Sequence, residues 1–155
     1  MGIKYKPNWE FKIDQTLNLY YNDPSIATAA LEIGPEDLLD DLETMGLMFE
    51  TMAVRDLRVY ADALDSLVYH YRDKNGLECD AVIHRRNGSY GLIEIKLGGD
   101  KLIEEVAGTL KKLADKIDTE KMKAPSFMMV LTANSDAAYK RPDGVIVVPI
   151  GSLKP

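Results

Sequence analysis

The sequence predicts a mixed α/β fold, a central sheet of parallel and antiparallel strands flanked by helices. Three observations carry that expectation. Apolar residues recur at three- and four-residue spacing through residues 35–64 and again through 101–118, the period of a helix with one buried side. Between these stretches the period falls to two, and two Asn-Gly turns punctuate it, as in a hairpin meander. Beyond the second stretch lie "SFMMVL" and "GVIVVPI", short apolar runs suited to strands buried on both faces.

Residues 1–19 form an N-terminal segment, either linker or edge strand, in which "WEFKI" alternates Trp9, Phe11 and Ile13. The domain itself is expected over 20–155. "LNLYY", Leu17 to Tyr21, is a strand candidate stopped by "NDP". Asp23 then caps a short helix that Pro24 opens and that ends near Gly34. Pro35, Glu36 and Asp37 restart a helix with acids in its first turn, where the helix dipole favours them. Leu38, Leu42, Met45, Phe49 and Met52 give this helix its core-facing stripe, which runs to Leu64 with one break near Leu57.

The meander follows: strand "LVYHYRD", turn "DKNG", strand "LECDAVIHR", turn "RNGS", strand "YGLIEIKLG". A helix over 101–118 carries Leu102, Val106, Leu110, Leu113 and Ile117 on one side. It should cross over to a strand parallel to one of the meander.

The chain of 155 residues has 46% apolar and 28% charged residues, the composition of one globular domain with no disorder signature. Its net charge of -6 means that a nucleic-acid role needs a local basic patch. A lone cysteine, Cys79, excludes an intramolecular disulfide and suits a reducing cytoplasm. No apolar run approaches the roughly 18 residues of a membrane span, and the start has no signal-peptide core.

The residues that ask for a function are charges on an apolar strand. Glu94 and Lys96 are two apart in "GLIEIKLGG", so they share a face of that strand. On the preceding strand Glu78, Asp80 and Val82 share one face, while Cys79, Ala81 and Ile83 share the other. Pairing across "HRRNGS" brings Asp80 near Glu94. Glu50 sits on the mostly apolar side of the long helix, in "LMFETM". Three carboxylates and a lysine converging at a sheet rim are costly unless a cation sits among them. A hard divalent ion meets that need with carboxylates, water and substrate phosphate. Lys96 would then hold or deprotonate the attacking water.

Asp80, thirteen intervening residues, then Glu94-Ile95-Lys96, within this order of elements, resembles the PD-(D/E)XK nuclease superfamily. That resemblance implies a restriction-endonuclease-like αβββαβ core. More narrowly, "YYNDPSIA", "LLDDLETMGLMFETMAVRDLRVYA", "YHYRDKNGLECDAVI" and "GLIEIKLGGDKL" resemble a domain of unknown function found C-terminal to AAA-type ATPases of bacteria and archaea. The resemblance implies a Mg²⁺- or Mn²⁺-dependent DNA phosphodiester hydrolase. Metal would be held by Glu50, Asp80 and Glu94, and Asp80, Glu94 and Lys96 would be catalytic. The proline of the nominal motif is replaced by Cys79. The implied partners are DNA, an ATPase domain and a second copy in a homodimer. The chain contains no G-x-x-x-x-G-K-[ST], so it is expected to be an excised or stand-alone version without ATP binding by that route. The competing reading is a non-catalytic interaction or regulatory module of an AAA-type ATPase.

The remaining polar residues read as structural. Another Glu-x-Lys triplet, Glu10-Phe11-Lys12, has no acid hairpin before it and reads as a solvated face. Glu78 reads as a solvated strand charge, His70 and His84 as isolated, Cys79 as an inert core thiol, and Arg72 with Asp73 as an ion pair at the hairpin entrance. Arg85, Arg86, Lys101, Lys111, Lys112 and Lys116 are the candidates for phosphate contact.

Overall fold

Helix α1, Pro24–Leu31, begins where Asp23 turns its carboxylate onto the Ser25 N–H at 2.9 Å, which satisfies one of the helix's orphan donors. The computed structural model describes residues 23–154; the strand candidates at Trp9 to Ile13 and Leu17 to Tyr21 lie outside them. The next helical stretch is two helices, α2 (Pro35–Asp40) and α3 (Leu42–Ala63). The interruption falls at Asp41, not near Leu57. Asp41 leaves helical geometry and caps α3, accepting the Thr44 N–H at 3.1 Å. Leu57 is only 2% exposed and lies within an unbroken 22-residue helix.

The meander forms as expected: β1 (Ser66–Arg72), β2 (Glu78–Arg85) and β3 (Tyr90–Lys96), antiparallel in sequence order. Both Asn-Gly turns place glycine at positive φ, 81° at Gly76 and 80° at Gly88, a conformation side chains resist. The Asp73 carboxylate accepts the Asn75 and Leu77 N–H groups and so organises the first turn. After β3, Gly98 and Gly99 at φ 135° and 95° turn the chain directly into α4, Asp100–Asp115. In α4 it is Ile103, not Leu102, that joins Val106, Leu110 and Leu113 in the buried stripe; Leu102 is 44% exposed.

β4 (Phe127–Thr132) runs parallel to β3, and β6 (Ile146–Pro149) runs parallel to β4. A two-residue strand, β5 (Tyr139–Lys140), adds an antiparallel edge that the sequence pattern did not announce. Among the described residues the mixed sheet has six strands in the order β1-β2-β3-β4-β6-β5. Its two faces hold separate cores. Val82, Tyr90, Leu92, Val130 and Val147 meet α4 residues such as Leu110 on one side. Ala81, Ile93, Ile95, Met129 and Leu131 meet Phe49, Ala53 and Leu57 of α3 on the other. Among the described residues no helix is long and apolar enough to cross a membrane.

Candidate functional site

An irregularity in β2 positions Asp80. Along β1 and β2 the register steps from Tyr69↔Val82 to Tyr71↔Cys79, so His70 alone stands opposite Asp80 and Ala81. Such a bulge takes one residue out of the ladder, bends the strand and re-aims its side chain. It also shifts the alternation of faces. Ala81 and Ile83 pack on the α3 side, whereas Cys79 packs with Val82 on the α4 side. Cys79 therefore does not share a face with Ala81 and Ile83, because the bulge lies between them. Its thiol is fully buried and reaches the Ile93 carbonyl at 3.3 Å. Burial, then the charge of Glu94, push this thiol far above its usual range, which leaves it inert.

On the other side of β2, the ladder to β3 runs from His84↔Tyr90 to Ala81↔Ile93. One residue on, a side chain takes over from the backbone. Asp80 Oδ2 accepts the Ile95 N–H at 2.7 Å. This fixes the carboxylate at the opening between the two strands.

Glu94 lies on β3, between β2 and β4, and is 5% exposed. Lys96 reaches back from the end of the strand. Its Nζ stands 3.3 Å from Asp80 Oδ2 and 3.5 Å from Glu94 Oε2. Two carboxylates thus face one ammonium in a mostly dry setting. Burial, and then the charge of Asp80, push the Glu94 carboxyl up to about 8, against the opposing pull of Lys96. For Lys96 burial acts to lower the ammonium, but the charges of Asp80, Glu94 and Glu50 outweigh it and hold it above its usual value.

Glu50 approaches from α3. It is half-buried and lines, with Gly46, Leu47, Ile95, Lys96 and Leu97, a cleft of about 240 Å³. Glu50, Asp80, Glu94 and Lys96 are therefore gathered at one end of the sheet, but not equally. Among the described residues no three His, Cys, Asp or Glu side chains stand close enough to hold a metal ion by themselves. The tight set is Asp80, Glu94 and Lys96, with Glu50 acting across the cleft. That set offers carboxylate oxygens of the kind a hard divalent cation takes.

His70 is not isolated and Glu78 is not simply solvated. His70 Nε2 and Glu78 Oε1 are 2.8 Å apart, while His70 Nδ1 is buried without a partner. Counting back from the turn aligns Arg72 with Glu78 and makes His70 its diagonal neighbour, so this pair was open to sequence reasoning. Asp73 pairs with Lys116 at 3.0 Å; that lysine reaches it from beyond α4, in place of the expected Arg72. Of the candidate phosphate-binding residues, Lys116 is thus engaged, and Arg86 pairs with Asp65 at 2.8 Å.

The family model described as "Domain of unknown function (DUF4143)" matches residues 45–153, a span that includes Glu50, Asp80, Glu94 and Lys96. Comparisons with curated proteins and with solved structures gave no match.

Proposed function

The chain belongs to the DUF4143 family, and for a member with this site we propose hydrolysis of DNA phosphodiester bonds by a restriction-endonuclease-like domain using Mg²⁺ or Mn²⁺. One observation carries the reading: the Lys96 ammonium within 3.5 Å of two carboxylates, the half-buried Asp80 and the buried Glu94, at the open end of two strands. Asp80 and Glu94 would hold the cation, and Glu50 would complete the set through water, in keeping with an ion that keeps much of its hydration. When bound, the cation supplies Lewis-acid polarisation of the phosphoryl oxygens and neutralises charge developing there.

The chain's own residues supply the rest. Asp80, tied to the Ile95 N–H, cannot swing away and so fixes the position of the pair. Lys96 Nζ orients the attacking water by a hydrogen bond. Positive charge on Asp80 and Glu94 would cancel the influences that raise Lys96, leaving burial, which lowers it. The lysine then accepts a proton more readily when the site is loaded than when it is empty.

The test is a titration of Mn²⁺, then Mg²⁺, into metal-stripped protein, with hydrolysis of single- and double-stranded DNA measured alongside. Asp80→Asn and Glu94→Gln should lose metal binding and cleavage together. Lys96→Met should bind metal and fail to cleave. A folded wild-type protein that binds neither ion at millimolar concentration, with or without DNA, would overturn the reading. The competing reading, an interaction module serving an ATPase, draws on the acidic, leucine-bearing surface of α1–α3.

A further inference from the structure

The cleft beside the charged cluster is mostly apolar. Leu42 and Leu47 come to it from α3, Leu97 from the end of β3, and Leu102 from α4. Leu42, Leu47 and Leu102 are exposed, so apolar surface from two helices is held open to water at one place, next to charged groups. Gly46 lies among them, in the interior of a 22-residue helix. Only proline is a poorer helix former than glycine, and the packing here does not call for glycine. Its backbone is helical. A Cβ at this position would meet only Leu97 Cδ1, at 4.0 Å, an ordinary contact. What the missing side chain does is keep the cleft open.

We infer that this cleft receives one unpaired base of the substrate strand, packed against the leucines beside the scissile phosphate. The inference rests on the proposed hydrolysis and names its substrate as single-stranded DNA. Position comes first. Glu50 and Lys96 line the cleft and also belong to the charged cluster, so whatever fills the cleft is attached next to the reacting phosphate. Size comes second. About 240 Å³ is below the roughly 300 Å³ at which pockets begin to hold drug-sized ligands, which leaves room for one ring system. Charge comes third. Lys96 is engaged by Asp80 and Glu94, and the other charged groups of the lining are Glu43 and Glu50. A second phosphate in the cleft would face two carboxylates and apolar walls, and is disfavoured. A neutral, flat, largely apolar group joined next to a phosphodiester is, in DNA, a base. In a duplex that base is paired and stacked, and reaching a side cleft means extruding it. A single strand has no pairing to lose. Every base presents the same kind of flat face, so apolar walls of this sort accept any of the four.

Binding without cleavage separates the two ideas. With Ca²⁺ in place of Mg²⁺ or Mn²⁺, fluorescence anisotropy of a short labelled strand reads affinity for the intact protein. The wild type should hold the single strand about tenfold more tightly than the same sequence as a blunt duplex. It should hold it about tenfold more tightly, too, than an abasic strand of equal length, which keeps every phosphate and loses every base. Gly46→Leu puts a side chain into the cleft, and leucine is the better helix former, so its Tm should be no lower than that of the wild type. This variant should bind Mn²⁺ as before but no longer distinguish the base-bearing strand from the abasic one. A wild type that holds duplex or abasic strand as tightly as the single strand, or that binds no DNA, would overturn the inference. So would a Gly46→Leu variant that keeps the full discrimination. Single strands bound in this way but never cut would sink the hydrolysis and leave the base cleft standing. Cleavage that favours duplex and is indifferent to Gly46→Leu would do the reverse.

Discussion

At Glu94 a carboxyl group is kept in the sheet's interior at a cost the fold carries at neutral pH. Its folded-state value is raised, so its contribution to stability is fully present below about 4.5, its unfolded value, and is lost as pH rises through about 8. Glu94→Gln removes that titration. In metal-free protein, thermal unfolding should therefore show the variant gaining on the wild type as pH goes from 5 to 8.5, by several degrees in Tm. A constant difference across that range would contradict the raised carboxyl. Groups held below their usual value, Asp73 and Asp143 among them, act in the opposite sense at low pH and cancel in the comparison. Gly91 presents a steric case. The Phe127 ring fills the space a Cβ there would take. Gly91→Ala should cost about 1 kcal/mol in equilibrium unfolding, the low end for overpacking, since the ring is partly exposed and can move out.

At the level of elements, the junction between α2 and α3 depends on one side chain. Asp41 accepts both the Thr44 N–H and its hydroxyl. Asp41→Ala should lower stability by about 1 kcal/mol, read as a shifted denaturant midpoint with unchanged slope. This junction also shows where the sequence was silent. The stripe Leu38, Leu42, Met45, Phe49 continues in phase across Asp41, so periodicity alone read one helix. The meander was legible almost to the residue because both Asn-Gly turns fix its register. Convergence of Asp80, Glu94 and Lys96 followed from that register and was legible too. The bulge opposite His70 was not, since two residues facing one leaves no mark in composition. With it went the face of Cys79 and the bond from Asp80 to Ile95. β5 was missed because two residues are too few to show a period.

For the whole molecule, ligand linkage gives the broadest test of the proposed metal. An ion that binds only the folded state stabilises it by about 2.7 kcal/mol at a hundred times its Kd. Mn²⁺ or Mg²⁺ should raise the Tm of the wild type, EDTA should reverse the rise, and Asp80→Asn should show neither effect. The order in which the sheet assembles adds a consequence. Asp80 and Lys96 are 16 residues apart and belong to the meander, whereas β3 meets β4 through pairs such as Gly91↔Phe127, across α4 and its loops. Short loops close at lower entropic cost than long ones. Hydrogen exchange during refolding should therefore find the β2–β3 amides protected before those joining β3 to β4. The charged cluster is then in place while the parallel half of the sheet is still being added, and its electrostatic cost falls on an early, weakly stabilised stage of folding.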